Sequence, residues 1–167
     1  MNGSYNFFVH LLAVGLLFTS VLGGWLLQRR LAGEKEVRLK LTIGGAARTF
    51  ALLAPIAGVL LLLTGIGNIY NRYLGTELHW YSEGWLVAKI IFFVIAVVNG
   101  SAHGGMLARK RVSLLQSAGG QSLPPEAEAQ LASVERQFTL HYVVQCLLLL
   151  IIIFLSVFGD GKHPGAF

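Results

Sequence analysis

The stretch GWLVAKIIFFVIAVVNGSAHGGML, residues 84–107, carries one formal charge, Lys89, and runs up to the basic triplet Arg109-Lys110-Arg111. As a helix it would reach about 36 Å, more than the roughly 30 Å hydrocarbon core of a bilayer. An apolar run of that length with a basic stop predicts a transmembrane helix. Outward from it, three more stretches read the same way: 6–27, 46–69 and 141–158. The expected fold is an all-α membrane protein, one domain over 1–167, built as a bundle of four transmembrane helices.

Composition points the same way. Apolar residues make up 54% of the chain and charged residues 13%, against about a quarter charged in an ordinary soluble domain. One small core cannot hide that much apolar surface from water, so lipid is the expected partner of most of it. The net charge of +5 comes from thirteen Lys and Arg, ten of which lie between Arg29 and Arg48 or between Arg109 and Arg136. That is the positive-inside pattern rather than a nucleic-acid patch. It predicts cytoplasmic loops at 28–45 and 108–140, both termini outside, and a multi-pass location in a bacterial cytoplasmic (inner) membrane. A cleavable leader is not expected, because no Lys or Arg precedes the first span and Arg29-Arg30 follows it. Cys146 stands alone within an apolar run, and no CxxCH motif is present, which rules out covalent c-type haem.

Two local features shape the expected packing. Ala47, Ala51, Ala54, Gly58 and Gly65 form a small-residue stripe in the second span, suited to a neighbouring helix or a homo-oligomer. Pro55 in the same span should kink it. Further on, Pro124-Pro125 followed by Glu126, Glu128 and Glu135 reads as a helix start leading into the fourth span.

Ionisable groups inside a membrane are costly, so each needs a partner or a purpose. The spans hold His10, Arg48, Lys89, His103 and His141, with Asn99 and Gln28 as neutral company and no carboxylate. Parallel first and third spans would put His10 and Lys89 at one depth. Arg48, His103 and His141 would share the other, and the fourteen-residue spacing puts Lys89 and His103 on one face of the third span. Neutral imidazoles in a bundle can hold haem iron, while a guanidinium or ammonium can pair with a haem propionate. Imidazoles, here His10 and His103, also bind copper or zinc. Against these stand plainer readings: snorkelling for Lys89 and Arg48, interfacial or core packing for the histidines, and solvation for His79 and His163.

Taken together, the residues Val9-His10-Leu11-Leu12, then Arg48, Pro55 and Gly65, then Gly84-Trp85-Leu86-Val87-Ala88-Lys89 and His103-Gly104 resemble a known pattern. It is that of the HemJ-type protoporphyrinogen oxidases and the four-span copper-resistance D (CopD) membrane domains. The resemblance covers nearly the whole chain as sparse positions, with Gly-Trp-Leu-x-x-Lys the most specific. It implies b-type haem and a redox role in the cytoplasmic membrane, with His10 and Lys89 at the family's essential positions.

The expected function is a haem b-binding membrane oxidoreductase of protoporphyrinogen oxidase or quinone-linked type, acting on a porphyrin or a quinone. Lys89 is its catalytic candidate, with His10, His103, Arg48 and His141 as cofactor-binding residues. A CopD-type copper-handling protein is the alternative, weakened by there being only two Met, Met1 and Met106. A non-enzymatic membrane subunit is the third reading.

Overall fold

The computed structural model describes residues 3–77, 79–119 and 122–159, and its long elements are all helices. They are α1 (Gly3–Gly33), α2 (Val37–Tyr73), α3 (Gly84–Val98), α4 (Gly104–Ser117) and α5 (Pro125–Phe158). A π-helical turn, Asn99–His103, joins α3 to α4 as one rod, and a 3-10 turn, Trp80–Ser82, precedes α3. No strand occurs among the described residues. Four rods are long and apolar enough to cross a membrane: Ser4–Gly33, Val37–Tyr73, Gly84–Ser117 and Pro125–Phe158. Only 11–22% of their most apolar windows is buried inside the protein. Leu63, Val98 and Phe154 are among many large apolar side chains facing outward, so lipid covers what a soluble fold would have to hide.

The helices outrun the apolar stretches that announce them. Segments 28–45 and 108–140, read above as the basic connections, are mostly helical, as expected from Pro125 onward, because Gln, Arg, Leu, Lys and Glu all favour helix where solvent takes over from lipid. The first connection shrinks to Glu34-Lys35-Glu36. There the Glu34 carboxylate accepts the backbone N–H groups of Glu36 (2.9 Å) and Lys35 (2.7 Å). These bonds favour its ionised form and hold its pKa below the usual carboxylate range. α5 starts at Pro125, with Glu126 and Glu128 in its first turn.

Two helical hairpins make up the bundle. α1 lies along α2, α3 and α4 lie along α5, and α1 meets α5 across the middle. Glycines set the closest approaches: a Cβ on Gly23 would sit 2.5 Å from the Phe50 ring of α2, and one on Gly24 2.5 Å from the Tyr142 hydroxyl of α5. Adjacent residues on α1 thus each seat an aromatic ring from a different neighbour. The small-residue stripe of α2 does less than expected. Ala51 is exposed, and Gly58 and Gly65 have open space where a Cβ would go. Ala47 of the stripe is buried, on a face of α2 that otherwise carries Ala57, Leu61 and Thr64. Pro55 is exposed, and α2 runs unbroken through it.

Packing is uneven along the bundle. Both buried apolar clusters, Val37-Leu115-Leu131 and Leu107-Val134-Phe138, lie at the end where the basic segments gather. Toward the opposite end α3 stays with α5 and meets α1 and α2 only sparsely. The fold is closed at its basic end and more open at the end carrying the α1 N-terminus.

Candidate functional site

At the open end, His10 sits one turn beyond Asn6 on α1, against Thr64 of α2. Thr64 Oγ1 lies 2.6 Å from the Leu60 carbonyl, which can only accept, so the hydroxyl proton goes there. The 2.7 Å contact between His10 Nδ1 and Thr64 Oγ1 then needs Nδ1 to be the donor. The opposite tautomer would take the hydroxyl proton for the ring and leave Thr64 and Leu60 oxygens facing each other without one. His10 is therefore held as the Nδ1–H tautomer, with its Nε2 lone pair free to bind an electrophile. Asn6 braces the pair, donating to the Thr64 carbonyl (2.9 Å) and to Asn68 Oδ1. Gly67 makes room for it, since a Cβ there would come 3.0 Å from the Asn6 amide. Lys89 on α3 is half-buried and within electrostatic reach of His10. The helices that carry His10 and Lys89 are not packed closely on each other.

The second group lies further along the bundle. His103, in the π turn, meets His141 of α5 with ring centroids 5.6 Å apart and planes at 62°. His141 is 7% exposed, and its Nδ1 is buried with no hydrogen-bond partner. Gly104 lies directly against it: a Cβ there would be 3.0 Å from Cε1 and Nε2 of the ring. Phe138 and Tyr142 edge the ring at centroid distances of 6.3 and 5.3 Å. One turn along α5, Gln145 accepts from Asn99 Nδ2 (2.8 Å) and donates to the Ala96 carbonyl (3.2 Å).

Below the histidines lies a buried polar network of which sequence reasoning singled out only Gln28. Arg111 Nη1 donates to Gln28 Oε1 (2.6 Å), and its guanidinium rests 4.4 Å from the Phe138 ring centre. Gln28 in turn donates to the Glu135 carbonyl at 3.4 Å, and Lys40 pairs with the Glu135 carboxylate at 2.8 Å. Lys40 and Arg111 belong to segments read as basic connections and Glu135 to the helix read as leading into the fourth span, so their burial followed only from the helices packing on one another past the apolar runs. The spacing of Glu135, Phe138, His141 and Gln145 along one α5 face was the available signal.

Of the five sequence candidates, the structure brings His103 onto His141, while His10 and Lys89 stand on helices that are not packed closely on each other. Arg48 stays on an exposed face of α2 and joins neither group. His79 is exposed and stacks on Tyr81, while His163 and Lys162 lie outside the described residues. Among the described residues no three His, Cys, Asp or Glu side chains converge as a metal site.

The donor set at the open end fits one side of a b-type haem. An imidazole whose Nδ1–H is anchored by a second residue presents Nε2 as ligand, a cation stands nearby, and the helices there are loosely packed. The His103–His141 contact does not fit a macrocycle, because Gly104 is pressed against the ring that would have to stand clear. Comparison with protein-family models, with curated proteins and with solved structures finds no match.

Proposed function

We propose that the chain is a haem b-binding oxidoreductase of a bacterial cytoplasmic membrane, with its site at the outer, N-terminal end of the bundle. The observation that carries this reading is the Leu60–Thr64–His10 hydrogen-bond chain, which orients one imidazole and frees its Nε2. Bound haem would supply the one-electron chemistry. His10 would ligate it, Thr64 and Asn6 would fix the ring, and Lys89 would pair with a propionate or with an anionic group of the substrate. A porphyrin or a quinone suits the site because both reach it through lipid.

The test is optical. Protein purified from haem-sufficient cells should show a Soret band and release non-covalent haem b on extraction. A preparation that stays colourless, even after haem is added, would sink the proposal.

A further inference from the structure

We propose that the seam between α1 and α5 binds one anionic phospholipid, its phosphate held by Arg29 and Arg136 and one acyl chain laid in the apolar groove beside them. An apolar hollow of about 220 Å³ lies at this seam, lined by Trp25, Tyr142, Val143, Cys146 and Leu147. Val143 and Leu147 are exposed, so the hollow opens to lipid. From Leu147 a second hollow continues along α5, past Ile151 to Phe154. Tyr142 to Phe154 is about 18 Å of helix rise, close to the roughly 15 Å that half a bilayer core measures. The groove has the length of one leaflet.

Helix register places the two arginines at its head. Gly24 of α1 meets the Tyr142 ring of α5, and further toward the basic end Gln28 donates to the Glu135 carbonyl. In two antiparallel right-handed helices, one residue on from a facing pair turns both chains to the same side of the seam. That step leads from Gly24 and Tyr142 to Trp25 and Val143, which do line the hollow. From Gln28 and Glu135 it leads to Arg29 and Arg136. The arginines therefore flank the groove on one side and at one depth, one to two turns nearer the basic end.

Charge selects the occupant. Both arginines are exposed, and among the described residues neither has a carboxylate within ion-pair distance; Glu135, next to Arg136 in the chain, is held by Lys40. The Arg29 guanidinium lies 5.4 Å from the centre of the Trp25 ring, so one residue belongs to both the head and the wall of the groove. Two planar guanidinium forks match the oxygens of a phosphate. A basic pocket between spans, at the end where Lys and Arg gather, favours an anionic head group. A zwitterionic lipid offers the same chain but brings an ammonium that both arginines repel. A second copy of this chain would bring its own Arg29 and Arg136 to a two-fold interface at this seam, setting like charge against like.

The experiment titrates the full chain, in detergent, with dioleoyl phosphatidylglycerol and with dioleoyl phosphatidylcholine, and reads bound lipid by native mass spectrometry. One phosphatidylglycerol should bind per chain, more tightly than phosphatidylcholine. Arg29→Gln and Arg136→Gln should each weaken it about fivefold, and the double variant about 25-fold. Arg48→Gln removes an equally exposed arginine from α2, away from the seam, and should leave the affinity unchanged. Glycerol phosphate, which has the head group's charge without a chain, should not compete. Equal binding of the two lipids overturns the proposal, as does a double variant that binds like the wild type or an Arg48→Gln loss of the same size. Competition by glycerol phosphate would mean a phosphate site without a groove, and a lipid-free dimer would mean that a second copy covers the seam; either also overturns it. The comparison of the two lipids on the wild-type chain decides the matter even if a variant does not fold.

Discussion

At the scale of single residues, Thr64 is where a small change has the sharpest reading. Thr64→Val keeps the shape and removes the oxygen that accepts from His10 Nδ1. The ring is then free to turn and to change tautomer, and haem affinity should fall about 10–100-fold, the usual cost of losing an outer-shell partner. Thr64→Ser should restore it, whereas His10→Ala should abolish binding. A haem titration followed at the Soret band distinguishes the three. The Lys40–Glu135 pair makes a different kind of prediction. Its side chains are 11% and 9% exposed, so removing one charge strands the other. Lys40→Met should destabilise the protein by about 3 kcal/mol, and the double variant Lys40→Met, Glu135→Leu should recover most of that. Apparent melting temperatures in detergent give the comparison. An exposed pair would show neither loss nor recovery.

At the scale of helices, the decisive contacts are ring-into-glycine. Gly23 and Gly24 are adjacent, so they point to different sides of α1 and each admits one neighbour. Gly24→Val should push Tyr142 away and loosen α5 from α1, at a cost of about 1–3 kcal/mol. Gly58→Ala, in the stripe that meets open space, should be nearly neutral by the same melting measurement. The sequence announced four helices because each carries an apolar run longer than a bilayer needs. It announced His10 and His103 because an imidazole in such a run stands out. The Gly23-Gly24 seats were not legible, since a glycine pair in a span looks alike whether it faces lipid or a ring. The π turn was equally silent: nothing in Asn99-Gly100-Ser101-Ala102-His103 marks an inserted residue, and helical arithmetic across it puts His103 in the wrong phase relative to Lys89. Deleting Ala102 should convert the turn to regular helix, keep the registers of α3 and α4, and turn His103 away from His141. Haem at His10 should be retained. At the short α1–α2 turn, Glu34 titrates below the usual carboxylate range. Its bonds to Glu36 and Lys35 therefore hold at neutral pH and loosen only as pH falls through that lowered value. An NMR titration of the Glu34 carboxyl would show the depressed midpoint, and Glu34→Gln should remove the pH dependence of the Glu36 amide shift.

At the scale of the whole molecule, closure is asymmetric, and orientation gives that asymmetry its meaning. The apolar clusters, the Lys40–Glu135 pair and the Arg111–Gln28 bond all gather at the basic end. The His10 group occupies the looser end. The distribution of Lys and Arg, ten of thirteen at the tight end, would put that end in the cytoplasm under the positive-inside rule. The proposed haem site would then open toward the outer leaflet, and the His103–His141 pair would lie in the inner one. Cysteine accessibility tests this with Cys146 replaced. Glu77→Cys, exposed in the segment between α2 and α3, should react with an impermeant maleimide in intact cells. Ser122→Cys, exposed just before α5, should react only after the membrane is opened. The reverse pattern would turn the bundle over and move His10 and Lys89 to the cytoplasmic leaflet. A ligand made in the cytoplasm could then enter the open end directly, and the tight end would face outward with its buried charges. The hydrogen bonds that fix His10 would be the same in either orientation, so haem binding and topology are independent measurements. Only the direction from which substrate and electrons arrive depends on the second.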